Sequence, residues 1–493
     1  MVEHEDPDLP PKRVSLIAPK SSPIDSGYVQ SAEKGTMTLP QRIMIIAWGS
    51  RGDIQPVAAL ATRLLAQGRD VLVFATPPAT DVLSANGIKC IEAEENVEDV
   101  IGHLFSQLNL SDRSPAGQLK LALTAKKFLD SPDYVATQES DMRRALQAAR
   151  EFEPDVLLTP NVIYGPFMSI AEALRIPLVT FDLQINYPTS QYPLFTMQVD
   201  KFPKSLNRVV YALKAFGYPR TIRSKFDKMR DICGLPRRTY TDGSKFKIWP
   251  HDLPQACAVS PSLCPRPSDW PPQKVMTGWW FLNSRNDYVP EPAFVEFMDR
   301  RPVYVGFGSM VGNPEFRPML STLALTSLRE AGVPGVLLGG WAGLSRDALD
   351  TSSPGGRQLY EWATENVYEI DSCPHDWLFP KCSAVVHHGG AGTLAAGIRA
   401  GRPTVVCAIQ GDQPFHGSLV QARGIGKYLG MVGSSNVTSQ TVAQAIREVT
   451  SNPTISAAAM AMGEQVRSED GTGEAASFID RMAAAFTYPW PTQ

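Results

Sequence analysis

The sequence predicts an α/β protein built as two doubly wound domains that face each other across a cleft. Short apolar runs alternate with segments of helical periodicity, as βαβ units do. The alternation occurs as two separate series, the second starting near residue 301. Between them lies PSLCPRPSDWPPQ, dense in proline and suited to a linker.

In the first series RIMIIAWG is an apolar run ending at Gly49, the pattern of a buried parallel strand. GSRGD turns the chain, and IQPVAALATRLLAQG has helical spacing and closes on Gly68, a glycine suited to a C-terminal cap. DVLVFATPP, PDVLLTP and IPLVTFDL read as later strands, with AEAL helical between the last two. The second series runs through RPVYVGFGS, GVPGVLLGG, NVYEI, SAVVHHGG and PTVVCAIQG. Ligands of such sheets sit outside the carboxyl ends of strands, so the cleft is the expected site.

Composition excludes several classes. The chain has 493 residues, 43% hydrophobic and 20% charged, with a net charge of -3, which gives no footprint for nucleic acid. Its seven cysteines include no CxxC pair, so neither a zinc site nor a disulfide framework is indicated, and a reducing compartment is expected. No apolar run is long enough to span a bilayer. The start, MVEHEDPDLPPKRV, is acidic and proline-rich, unlike a signal peptide. The cytoplasm is the expected address. KFPKSLNRVVYALKAFGYPRTIRSKFDKMR, basic and interleaved with apolar residues, leaves peripheral membrane contact open beside a solvated helix packed by its apolar side.

HGGAGT spans a strand-to-helix junction: SAVVHH is a strand and AGTLAAGIRAG a helix of small residues. Free N–H groups at a helix start attract anions, and glycine lets a ligand approach the backbone. Thr393 adds a hydroxyl, and a histidine adds a donor or a positive charge. The pattern suits a diphosphate seat; it equally suits a tight turn with core histidines. An esterase oxyanion loop would need GxSxG, which is absent, and Gly306, Gly308 and Gly312 miss the GxGxxG spacing of a dinucleotide site.

CPHDWLFPKCSAVVHHGGAGTLAAGIRAGRPTVVCAIQGDQPFHGSLVQARGIG resembles the donor-binding signature of UDP-sugar glycosyltransferases with the GT-B fold. The likeness is to the sterol 3-beta-glucosyltransferase branch and to bacterial enzymes that modify antibiotic aglycones. GSRGDIQPVAAL, AEALRIPL, SPSLCPRPSDWPPQKVMTGWWFL and RPVYVGFGSM extend the resemblance from about Arg42 to about Gly430. It implies a GT-B fold of two Rossmann-like domains. The expected division is a disordered leader (1–40), an acceptor domain (41–264), a linker (265–300) and a UDP-sugar domain (301–470). A C-terminal helix and tail (471–493) would pack back on the acceptor domain.

The resemblance also implies roles. His388 with Gly389, Gly390, Ala391, Gly392 and Thr393 corresponds to the diphosphate site, and Ser309 to a second phosphate or ribose contact. Asp412 and Gln413 correspond to the pair that hydrogen-bonds hexose hydroxyls; they would also suit a helix cap before Pro414. Asp53 corresponds to the general base, and it too suits an N-cap. His251 is a weaker candidate for base, and His103 reads as structural. His375 reads as a donor-side contact, while Ser50, Asn186 and His416 are further contact candidates. The only DxD, Asp6-Pro7-Asp8, lies in the leader, so metal-free chemistry is expected, with no cofactor beyond the UDP-sugar co-substrate.

The implied activity is inverting transfer of a hexose, glucose in the first instance, to a lipophilic hydroxyl. Asn186 stands near the place of a family tryptophan, His416 at another, and Ile409–Gln410 where paired phenylalanines are common. These departures leave a terpenoid or polyketide acceptor open beside a sterol. A sugar-nucleotide epimerase, or a GT-B protein that binds donor without catalysis, is the alternative.

Overall fold

A computed structural model describes residues 39–49, 51–77, 80–97, 99–100, 123–124, 127–161, 167–199, 203–237, 253–283, 288–308, 316–340 and 343–486. The leader through residue 38 and the candidates Ser50, His103, His251 and Ser309 lie outside the described residues.

Among the described residues the first sheet has seven strands: β1 Arg42–Ala47, β2 Asp70–Ala75, β3 Lys89–Glu92, β4 Val156–Pro160, β5 Leu178–Asp182, β6 Gln255–Cys257 and β7 Lys274–Met276. All neighbours pair in parallel, in the order 3-2-1-4-5-6-7. The second sheet has six: β8 Val303–Gly306, β9 Gly335–Leu338, β10 Val367–Ile370, β11 Ala384–His387, β12 Thr404–Ala408 and β13 Gly426–Met431. These too are parallel, in the order 10-9-8-11-12-13. Strand order reverses between β1 and β4 and between β8 and β11. A crevice opens outside the carboxyl ends of strands at such switch points.

The period-two pattern of β1 explains how both faces of the first sheet are covered. Ile43 and Ile45 pack with Ile54, Val57 and Leu60 of the helix Arg51–Ala66. Met44 and Ile46 pack on the other face with Met142 and Leu146 of the helix Pro132–Phe152. The helix Gly471–Ala484 joins the first face through Ala475, Phe478 and Ile479, so the chain's last described helix lies on the first domain. A nearly buried ion pair fixes it there, with the Arg69 guanidinium donating to both Asp480 oxygens at 2.5 and 2.8 Å.

Residues 265–300 are more than a linker. Lys274–Met276 complete the first sheet, and Phe294 and Met298 of the helix Pro292–Met298 pack on the second. Hydrogen bonding along β6 and burial of two aromatic or sulfur side chains outweigh the proline content that marks the stretch as a connector. The two domains also share a cluster. Ile185, Leu263 and Trp279 from the first side meet Leu394, Phe415 and Leu419 from the second.

No described helix is long and apolar enough to cross a membrane. The helix Asn207–Ile232 buries Asn207 and Tyr211, whose side chains donate to Ser190 O and Pro193 O. Leu206, Val209 and Leu213 face outward beside exposed Lys204.

Candidate active site

β11 delivers His387 and His388 to the carboxyl edge of the second sheet, and the helix Ala391–Arg399 starts three residues later. Gly389 makes the corner at φ +94°, a left-handed conformation that glycine adopts without strain. Gly390 is the N-cap at φ -60°, ψ 143°, and it brings no side-chain oxygen to the first turn. The leading N–H groups of this helix are therefore not capped by its N-cap residue, and the macrodipole makes the spot attractive to anions.

The two histidines are partitioned. His387 Nδ1 accepts from Gly389 N–H at 2.9 Å, so this fully buried ring holds the turn. His388 lines the cleft, and its neighbours leave it no slack. A Cβ on Gly308 or on Gly390 would collide with its imidazole. Burial lowers the His388 pKa to about 4, against an opposing pull from the Asp412 carboxylate. At neutral pH the ring is uncharged. Burial likewise holds His387 well below the ordinary histidine value.

The cleft has a volume of about 1500 Å³. From the second domain it is lined by His388, Gly390, Ala391, Gly392, Thr393, His375, Asp412 and Gln413, and from the first by Asp53. The His375 ring is stacked on Phe379 at 4.3 Å and 15°, on the short helix His375–Leu378.

Asp53 lies inside the first turn of the helix Arg51–Ala66, two residues past its start, so it is not the N-cap. Its carboxylate folds against Gly49, where a Cβ would collide with it. Asp412 does occupy an N-cap position, of the helix Gln413–Ala422, but its side chain makes no capping bond. Instead Asp412 Oδ2 accepts from Gln184 Nε2 of the first domain at 3.0 Å. Gln413 Oε1 accepts the N–H groups of Ile409 and Gln410 at 2.6 and 2.9 Å. That leaves the amide nitrogen, a donor, as the Gln413 group suited to a sugar oxygen.

Three candidates stand behind the cleft rather than on its wall. Gly389 makes the turn and does not line it. His416 is buried, and its Nδ1 lies 2.9 Å from Gly389 O; a carbonyl only accepts, so Nδ1 carries the proton and the ring braces the glycine corner. Asn186 is buried and off the wall. Its neighbour Ile185 is drawn into the cluster shared by the two domains, which turns this segment inward.

Sequence reasoning missed Trp48, Asp182 and Gln184, all on the cleft wall. Trp48 is held by donation from its indole N–H to the buried Glu95 at 3.2 Å. Asp182 accepts from Asn161 Nδ2 at 3.3 Å and from Gln255 Nε2. Asp182 and Gln184 stand just where the apolar run IPLVTF turns polar, a signal that strand ends in this fold carry function.

Two parallel sheets with switch points at one cleft, and an open helix start on one wall, are the architecture of the GT-B fold. Known proteins agree. The family described as erythromycin biosynthesis protein CIII-like, C-terminal domain, matches residues 353–482. The sterol 3-beta-glucosyltransferase UGT80B1 of Arabidopsis thaliana is 29% identical over 461 residues, covering 92% of this chain and 70% of its own. The sterol 3-beta-glucosyltransferase of Yarrowia lipolytica is 30% identical over 476 residues, and this chain spans only 30% of its length. Among solved structures, the glycosyltransferase VinC in complex with dTDP aligns with a TM-score of 0.59 at 16% identity, over 90% of this chain and 99% of that one. The chain thus has the GT-B fold and is similar to glycosyltransferases of the sterol and antibiotic-aglycone branch.

Proposed function

We propose that the protein transfers a hexose, glucose in the first instance, from a UDP-sugar to a hydroxyl of a lipophilic acceptor, with inversion to a β-glycoside. One observation carries the reading: Asp53 from one domain and the open helix start with His388 from the other line the same cleft. A transferase of this kind needs a base for the acceptor proton and donors for the leaving diphosphate. Asp53 takes the proton from the acceptor hydroxyl. The N–H groups at Ala391–Thr393, the Thr393 hydroxyl and His388 receive the charge that develops on the diphosphate. These donors do the work a cation does elsewhere, so the reaction calls for no metal. The names of the Arabidopsis and Yarrowia relatives favour glucose and a sterol, and dTDP in VinC is likewise a nucleoside diphosphate. Phe181, Phe195, Trp279 and Trp280 on the cleft wall suit a lipophilic aglycone, sterol or terpenoid.

Radiolabelled UDP-glucose with a panel of sterols and terpenoid alcohols, in the presence of EDTA, tests the reading. The expected result is a glycoside whose anomeric proton NMR shows the β-linkage. An α-linkage overturns the inverting mechanism, and transfer abolished by EDTA overturns the metal-free one. UDP-glucose binding with no transfer to any acceptor favours a donor-binding protein without catalysis. Acceptor uptake fits the outward stripe of Leu206, Val209 and Leu213 beside Lys204, which suits shallow contact with an anionic bilayer. Flotation with phosphatidylserine vesicles, lost in Val209→Glu/Leu213→Glu, tests that contact.

A further inference from the structure

Asp412 and Gln184 lie 228 residues apart in sequence, in different domains, yet one hydrogen bond of 3.0 Å joins them at the cleft. The bond has an electrostatic direction. A carboxylate only accepts, so the Gln184 amide must turn its nitrogen to Asp412, which leaves its oxygen as an acceptor for a hydroxyl. Gln184 is also hard to withdraw. Its carbonyl accepts from Cys257 Sγ at the end of β6, and the next residue, Ile185, is 1% exposed in the cluster shared by the domains. On the Asp412 side, the backbone is fixed as the N-cap of the helix Gln413–Ala422 while the side chain leaves its capping role unused. Gln413 beside it has its oxygen committed to backbone N–H groups. The carboxylate is thus held most closely from the other domain, by Gln184 at 3.0 Å, with His416 Nδ1 of its own helix farther off at 3.9 Å.

We propose that Gln184 is a sugar-specificity residue contributed by the acceptor domain: it orients Asp412 and, with it, completes the pocket for the hexosyl group of the donor. This rests on the reading of Asp412 as a hexose ligand. The pair presents a carboxylate oxygen and an amide oxygen from opposite walls, a combination that selects hydroxyls donating in two directions. UDP alone, which has no hexose, does not engage it. The hydrogen bond also makes the donor-sugar pocket complete only when the two domains are together.

The test compares Gln184→Ala, Gln184→Asn and Asp412→Asn with the unmodified protein. Affinities for UDP and for UDP-glucose are measured by calorimetry, with kcat/KM for UDP-glucose and UDP-galactose. In Gln184→Ala, UDP affinity stays within twofold while kcat/KM for UDP-glucose falls about tenfold, the size of one hydrogen bond worth about 1.4 kcal/mol. Preference over UDP-galactose narrows with it. Gln184→Asn, too short to span the gap, behaves like Ala. In the double variant Gln184→Ala/Asp412→Ala, set against Asp412→Ala alone, the losses do not add, because truncating Asp412 removes the carboxylate that Gln184 orients. An equal loss of UDP and UDP-glucose binding in Gln184→Ala overturns the proposal, and so does additivity in the double variant. If Asp412→Asn lowers UDP-glucose use while the Gln184 variants match the unmodified protein, Gln184 is excluded and the donor-site reading stands. If neither residue matters, the underlying assignment of Asp412 fails.

Discussion

The neutrality of His388 predicts how the protein responds to acid. Its folded pKa is about 4, depressed by burial, against about 6.5 for an unfolded histidine. A depressed pKa contributes stability that is fully present above the unfolded value and is lost as pH falls toward the folded one. Between pH 7 and pH 5 the unfolded ring takes up its proton and the folded ring does not. Integrating the difference gives a loss of about 2 kcal/mol from this residue alone. A nucleotide-sugar in the site reverses the logic. The diphosphate places negative charge beside the ring, favours imidazolium and raises the pKa of the complex. Binding then takes up a proton, so affinity rises as pH falls, by no more than about tenfold per pH unit. UDP-glucose is the right ligand, because its diphosphate diester does not titrate in this range. Histidine labelled with 13C at Cε1 gives at most seven signals, and His388→Gln identifies one of them. The expected His388 midpoint lies below pH 5 in the free protein and moves up when UDP-glucose saturates the site. Calorimetry should show tighter UDP-glucose binding at pH 5 than at pH 7. A free-protein midpoint near 6.5, or affinity that weakens toward acid, refutes the argument.

Three other predictions follow from the geometry. Asp53→Asn keeps the size of the side chain packed on Gly49 and gives up a first-turn charge, worth about 0.3–1 kcal/mol, so folding and UDP affinity should survive while transfer drops about a hundredfold to ten-thousandfold. Turnover close to that of the unmodified enzyme removes Asp53 as the base. Arg69→Ala strands the Asp480 carboxylate, 16% exposed, and should cost about 3 kcal/mol with earlier proteolysis of the C-terminal helix. Replacing both partners by apolar residues should cost much less, and equal losses would show that the pair is not coupled. His416→Ala removes the brace on Gly389 O from behind the wall, so UDP affinity should weaken about tenfold, as for a net hydrogen bond of about 1.4 kcal/mol. Unchanged UDP affinity would mean the glycine corner holds without it.

Sequence by itself determined the architecture and where several cleft-lining residues fall along the chain. Apolar runs in two alternating series specify two parallel sheets, because a strand buried on both faces has little choice of composition. HGGAGT marks the open helix start, since glycines after a strand are a local signal that needs no distant partner. The place of Asp53 on the cleft wall follows from its position just beyond the first strand, while its role as base is what the resemblance implies. What each side chain does once there was decided only by the tertiary structure. VVHH offers two equivalent imidazoles; the turn takes His387, and Gly308 packs against His388, which lines the cleft. His416 and Asn186 occupy positions that suggest contact, but packing sets one behind Gly389 and buries the other beside Ile185 of the shared interdomain cluster. Nothing in FDLQINY or GDQPF signals that Gln184 meets Asp412. Periodicity records which face of an element is buried. A hydrogen-bond partner hundreds of residues away depends on how two finished sheets dock, and that information exists only when both are in place.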